Sequence, residues 1–245
     1  MQLVSKIAHA LEHDLFQLKL EDVVELDGKQ RKVFYREVLL RLDGDDGKPM
    51  DINEIVPAAE RYLLMSSIDR WVVRRTLGLL AKRQDKSGCI FAINLSGQTL
   101  GEEQSLSFIL RQIEEFDVDP SRLCFEITET AAVTHLSEAV RFMETLSEKG
   151  VQFALDDFGS GLASFAYLKQ LPVQFLKIDG SFVRGLPENN FDRTMVAAIQ
   201  RIGEEIGLKT IAEHAETETI ITALEDLGIR YIQGYALGEG EFLTA

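Results

Sequence analysis

The stretch LCFEITETAAVTHLSEAVRFMETLSEKGVQFALD, from Leu123 to Asp156, carries one complete strand–helix–strand unit. Leu123–Thr128 is a short apolar run of strand length, and Gln152–Asp156 is another. Between them Leu136, Ala139, Val140, Met143 and Leu146 recur at i, i+3, i+4, i+7 and i+10, an apolar stripe of helical period. A helix set between two strands returns the chain to the start of the sheet, so the two strands run parallel.

The same rhythm extends in both directions. Upstream, Arg70–Lys82 has helical spacing, Cys89–Leu95 reads as a buried strand, and Leu106, Ile109, Leu110 and Ile113 mark the next helix. Downstream come a short helix at Ser164–Gln170, a strand at Val173–Ile178 and a helix over Phe191–Ile206. A strand at Leu208–Ala212, a helix over Ile220–Leu227 and a strand at Ile229–Gln233 follow. Phe16–Val24 and Val33–Leu42 flank the turn signal Asp27-Gly28 and are expected to pair. The sum is about eight strands, which predicts a TIM-like (β/α)8 barrel, mainly parallel, with an irregular, antiparallel first strand. No Gly-x-Gly-x-x-Gly follows the first strand, so a dinucleotide-binding sheet fits poorly.

The chain has 245 residues, 45% hydrophobic and 27% charged, enough apolar material for one full core over 1–245. Its charge is 26 − 40 = −14, which argues against a nucleic acid polymer or an anionic lipid surface as partner. Cys89 and Cys124 each lie in an apolar run, the pattern of core thiols in a reducing compartment. No run approaches the length of a membrane span, and the N-terminus lacks a signal-peptide pattern. A soluble, intracellular domain is expected.

Chemistry in such a barrel gathers at the C-terminal ends of the strands. There, or in the middle of the second strand, stand Glu37, Asn94, Glu126, Asp156, Asp157, Lys177, Glu213 and Gln233. Five acids face one lysine, and two like charges 4 Å apart repel by about 4 kcal/mol at an effective dielectric near 20. Either the acids are protonated or cations sit among them. The donors are oxygens, without His or Cys, which suits Mg²⁺ or Mn²⁺ rather than Zn²⁺. His9, His13, His135 and His214 show no metal-binding spacing and are expected to be structural or solvent-facing. Gly159 and Gly161 are expected to end the fifth strand at once, letting Asp156 and Asp157 turn towards one centre. The spacing by itself reaches a divalent-metal hydrolase or lyase in a barrel. A serine nucleophile and a glycosidase carboxylate pair fit less well.

At these residues the sequence resembles the EAL-type cyclic di-GMP phosphodiesterase family over nearly its whole length. Glu37-Val38-Leu39-Leu40-Arg41 is similar to the family's signature. Asn94-Leu95-Ser96, Phe125–Glu129, Asp156–Gly161, Lys177-Ile178-Asp179, Ala212–Glu216 and Gln233-Gly234-Tyr235 follow in the family's order. The resemblance implies hydrolysis of cyclic di-GMP to pGpG with two Mg²⁺ or Mn²⁺ and a metal-activated water, in bacterial second-messenger signalling. It gives Glu37, Asn94, Glu126 and Asp156 one ion, and Asp156, Asp157 and Glu213 the other. Lys177 would position or deprotonate the water, and Gln233 would orient it. Arg41 would face a phosphate, Glu129 would anchor the loop after Asp157, and Glu216 would support the site from behind. Glu37→Ala is expected to abolish turnover yet leave the fold intact by relieving repulsion.

The resemblance further implies a homodimer, no direct membrane contact from this segment, and a cytoplasmic location, alone or as the cytosolic, C-terminal part of a larger signalling protein. Departures from the family pattern are Leu20-Glu21-Asp22, which puts an acid beside the nucleotide, His214 with Ala215, Leu162 with Ala163, and the tail Gly238–Phe242. The first and last of these favour the alternative role of a cyclic di-GMP receptor with little turnover.

Overall fold

The computed structural model describes residues 2–28, 30–83, 88–161, 165–238 and 240–244. Leu162, Ala163, Ser164 and Glu239 lie outside the described residues. The chain opens with α1 (Gln2–Glu12), then the hairpin β1 (Gln17–Asp27) and β2 (Gln30–Arg41). Next come α2 (Ile52–Arg61), α3 (Met65–Arg83), β3 (Ile90–Asn94), α4 (Gly97–Gly101) and α5 (Glu103–Phe116). The middle holds β4 (Leu123–Thr128), α6 (Glu129–Thr134), α7 (Leu136–Ser147), β5 (Gln152–Phe158), β6 (Phe175–Ile178) and α8 (Gly180–Gly185). The last third is α9 (Asn190–Ile206), β7 (Lys209–Ala212), α10 (Glu218–Asp226), β8 (Tyr231–Gln233) and β9 (Glu241–Phe242).

Strands β2 to β8 stand side by side in chain order, each parallel to the one before. Strand β1 closes the ring, antiparallel to both β2 and β8. The reason is local: Gly28, at φ 61, helps make a turn too short for a crossover, and a tight turn can join only antiparallel strands. The register of β1 on β2 slips between Val23 and Val24, so the first strand is irregular as well. The result is a closed mixed barrel of eight strands, with β9 added along β1.

Helix α7 shows why the expected periodicity holds. Its buried residues are Ala139, Phe142, Met143 and Leu146, one stripe pressed on the sheet. Truncating Leu146, which is fully buried, would cost about 2–5 kcal/mol. The expected helix at 164–170 is a 3-10 turn over Phe165–Lys169. Helices α4, α6 and α8 run five or six residues, too short for an apolar period to appear in sequence. Cys89 and Cys124 are buried thiols. His9, His13 and His214 are exposed, and His135 is half-buried. Among the described residues no helix is long and apolar enough to cross a membrane.

Inside the ring, Val23, Tyr35, Ala92, Cys124, Ala154, Phe175 and Ile211 form an apolar floor, one residue from each of seven strands. Strand side chains alternate with period two, so the next inward position lies two residues on. Counting two from Tyr35, Ala92, Cys124, Ala154, Phe175, Ile211 and Tyr231 gives Glu37, Asn94, Glu126, Asp156, Lys177, Glu213 and Gln233. Strand β1 runs the other way, and two residues back from Val23 is Glu21. The fold therefore stacks a polar layer directly on a dry floor.

Candidate metal and substrate site

Lys177 sits at the centre of the polar layer, and its side chain is fully buried. Its Nζ lies 2.7 Å from Glu213 Oε1, 2.8 Å from Glu126 Oε2, 3.2 Å from Asp156 Oδ1 and 3.4 Å from Glu37 Oε2. Glu37 also accepts from Asn94 Nδ2 at 2.7 Å and from Gln233 Nε2 at 2.8 Å. Below, the Tyr35 hydroxyl donates to Glu126 and lies 3.5 Å from Cys124 Sγ. Tyr35 was not among the expected site residues. Its signal was the same count of two, backwards from Glu37.

The acids respond differently to this crowding. Burial pushes Glu37 up, but Lys177 and the amides of Gln233 and Asn94 outweigh it and hold the carboxyl below its ordinary value. Burial and the neighbouring Glu37 drive Glu126 well above the carboxylate range. Burial, less the pull of Lys177 but with repulsion from Asp156 and Glu37, lifts Glu213 to about 8. Asp157 rises to about 6 through burial and the nearby Asp156. Burial disfavours the charge on Lys177, yet Asp156, Glu126, Glu213 and Glu37 together raise it well above its usual value. Lys177 is an ammonium here, and it supplies part of the counter-charge that the acids require.

One expectation needs correction: Glu37→Ala would relieve the repulsion that Glu37 exerts on Glu126 and Glu213, but Glu37 itself is stabilised where it stands, so the swap also carries a cost. It would leave the Asn94 and Gln233 amides without their acceptor, at about 1–3 kcal/mol. As expected, β5 ends at Phe158, directly before Gly159 at φ 96. Asp157 turns by itself: its φ is 54, a left-handed conformation that costs a non-glycine residue about 1 kcal/mol, and the register on β6 shifts between Leu155 and Phe158. That twist puts consecutive acids on one side. Carboxylate oxygens of Asp156, Asp157 and Glu213 consequently lie within 4.8 Å of one another, the group of metal-type ligands found among the described residues.

Three crowded carboxyls, of which Asp157 and Glu213 have raised proton affinity, fit a divalent cation, which would take the place of those protons. Glu37, Asn94, Glu126 and Asp156, expected around a first ion, here converge on the Lys177 ammonium or on one another, with Asn94 giving its N–H to Glu37.

The remaining expected residues line the approach. Glu129, buried, accepts from Gly159 N at 3.0 Å and from the Tyr167 hydroxyl at 2.5 Å, which fastens the chain just after Asp157. Glu21 stands opposite Glu37 across the hairpin, 3.4 Å from Gln233 Nε2 and 3.8 Å from Arg41 Nη2. Arg41 also donates to the Leu40 carbonyl. Glu216 is exposed, 3.7 Å from His214 Nδ1, and among the described residues it makes no hydrogen bond or ion pair with the acidic layer. Asp69, on α3, escaped the sequence reading although it was an acid within an apolar stripe. It is buried, accepts from Ser96 N, Ser96 Oγ and Thr99 Oγ1, and burial lifts it to about 6. A cavity of about 850 Å³ opens above the layer, walled by Glu21, Arg41, Asn53, Asp69, His214 and Tyr235 among others.

Fold and site together define a TIM-like barrel whose mouth carries a carboxylate layer around one buried lysine. The chain belongs to the EAL domain family, whose sequence profile matches residues 4–239. It is 39% identical over 242 residues to the cyclic di-GMP phosphodiesterase PdeB of Shewanella oneidensis, covering 98% of this chain and 28% of that protein. Against the cyclic di-GMP phosphodiesterase PdeF of Escherichia coli the identity is 34% over 238 residues, covering 97% of this chain and 31% of the relative. The chain thus spans about a third or less of these relatives' lengths. Among solved structures it resembles the PaMucR phosphodiesterase in complex with c-di-GMP, at a TM-score of 0.91 and 29% identity over 98% of both chains. It also resembles the FimX EAL domain of Pseudomonas aeruginosa bound to c-di-GMP, at 0.88 and 30%, over 98% of this chain and 97% of that one.

Proposed function

We propose that this chain hydrolyses cyclic di-GMP to linear pGpG with divalent cations held at the barrel mouth. The observation that carries the reading is the Asp156, Asp157 and Glu213 cluster beside buried Lys177, under a cavity of about 850 Å³. Membership of the EAL family supports it, as do relatives named for this activity and similar structures solved with the nucleotide.

Asp156, Asp157 and Glu213 would hold one Mg²⁺ or Mn²⁺, and Glu37, Asn94, Glu126 and Asp156 a second. Bound there, the ions would polarise the phosphodiester and bring the acidity of water near neutral pH. In the reaction the water oxygen bonds to phosphorus, the P–O3′ bond breaks, and the departing 3′ oxygen takes up a proton. Lys177 acts as an ammonium. Without bound ions, Asp156, Glu126, Glu213 and Glu37 raise its proton affinity, which favours the ammonium and supports a positioning role. Gln233 commits its N–H groups to Glu37 and Glu21, and its buried Oε1 is left without a hydrogen-bond partner, a free acceptor suited to orienting a water. Arg41 offers its fork of donors to a phosphate. The same reading sets the activity in cytoplasmic signalling.

The test is incubation of the purified chain with cyclic di-GMP and Mg²⁺ or Mn²⁺, with nucleotides separated by chromatography. We expect pGpG, and none with EDTA. Absence of pGpG in both metals at high enzyme concentration would sink the reading. One observation favours a receptor instead: the Glu21 carboxylate faces Arg41 and competes with any incoming phosphate. Tight nucleotide binding with no turnover would decide for that role.

A further inference from the structure

We propose that His214 is a positioning residue that fixes Glu213 by wedging its loop between the exits of β6 and β8. The consequence for cation binding rests on the metal reading above; the wedge itself does not.

His214 directly follows Glu213, in the left-handed region at φ 54. Its ring lies against Gly180, the first residue of α8 and three residues beyond Lys177. A Cβ on Gly180 would stand 2.0 Å from His214 Cδ2 and 2.8 Å from Cγ, so the ring occupies the space that any other residue at 180 would need. On the opposite side the loop is seated as closely. A Cβ on Gly234 would meet Ala215 N at 2.4 Å and Ala215 O at 2.5 Å. Ala215 N–H donates to the Gln233 carbonyl at 2.8 Å, and Ala236 N–H donates to the Ala215 carbonyl at 3.2 Å.

Glu213 therefore leaves β7 on a segment clamped by two glycines, each bare because the loop fills its side-chain space. The backbone bonds of Ala215 hold one flank. The His214 ring rests on the other flank, packed onto Gly180 from a left-handed backbone. Without that ring, the segment that carries Glu213 would be less firmly held beside Asp156 and Lys177. Groups that orient a metal ligand in this way are commonly worth 10–100-fold in affinity.

The experiment compares the parent chain with His214→Gly, His214→Phe and Gly180→Ala, each first confirmed as folded by circular dichroism. Two readouts are taken: hydrogen exchange of residues 213–216 in EDTA, and Mn²⁺ affinity by calorimetry. For His214→Gly we expect faster exchange in that segment and about a tenfold loss of Mn²⁺ affinity. His214→Phe, which keeps a ring over Gly180, should match the parent in both. Gly180→Ala should resemble His214→Gly and add little when combined with it. Parent-like exchange in His214→Gly would overturn the proposal. So would a His214→Phe that behaves like His214→Gly, since imidazole chemistry rather than packing would then be responsible. If the parent chain took up no Mn²⁺ the functional reading would fail, while the exchange data would still decide the wedge.

Discussion

Lys177 Nζ lies 2.8 Å from Glu126 Oε2, and neither side chain has any exposure. A buried charge needs a partner, but this pair has more acid than base around it: Glu37, Asp156 and Glu213 also reach the same ammonium. The mouth of the barrel is thus held together by one cation and by protons, and a divalent ion would change both.

Lys177→Met should destabilise the metal-free chain by about 3–5 kcal/mol, because it strands buried carboxylates without counter-charge. Thermal melting in EDTA would show the drop, and Mn²⁺ should restore part of it. A variant that melts like the parent in EDTA would mean that protons alone neutralise the layer.

Two isosteric changes should separate the acids of the layer. Glu37→Gln removes a carboxylate that its neighbours favour, and should lower stability by about 1–3 kcal/mol. Glu126→Gln removes one that burial and Glu37 disfavour, and should melt no lower than the parent in EDTA. Both should lose metal-dependent turnover. Denaturant titration at neutral pH checks the order, and the reverse order would contradict the assigned electrostatics.

The metal-free chain should lose stability as pH rises from about 4, the ordinary carboxylate range, to about 8. Asp157 and Glu213 are held up at about 6 and about 8, so the folded chain keeps protons that the unfolded chain has already released. The stability from those protons is complete below the ordinary carboxylate values and disappears as pH climbs through each raised value in turn. Saturating Mn²⁺ should abolish the decline. Melting temperatures across this window, with EDTA or with Mn²⁺, provide the test.

Glu129→Ala should release the chain after Asp157 by leaving Gly159 N–H and the Tyr167 hydroxyl without their acceptor. We expect a 10–100-fold loss of Mn²⁺ affinity and a smaller loss in Glu129→Gln, which retains one acceptor oxygen. Calorimetry distinguishes the two; equal and parent-like affinities would show that Asp157 needs no such support.

Much of this arrangement was legible before folding. The helical stripe of α7 and the apolar strands beside it carry their own periods, so the barrel could be counted along the chain. Glu126 and Lys177 stood out because a charge inside a fully apolar strand is costly unless something meets it. Other features left no such trace. Asp69 hid because it stands just before Arg70–Lys82, the stretch whose helical spacing is visible. Glu216 was a site residue by the family resemblance, three positions after Glu213, and it is exposed to solvent. The five-residue α4 is too short for any period to reveal it.

By itself the sequence determined which residues alternate into the barrel, because side-chain direction along a strand obeys a period of two that requires no partner. It also determined that the polar layer would be acidic. Only the tertiary structure decided who neutralises whom. The Lys177 ammonium, the left-handed turn at Asp157 and the seat of His214 on Gly180 join residues from separate strands, and their distances follow from ring closure rather than from any local preference of the chain.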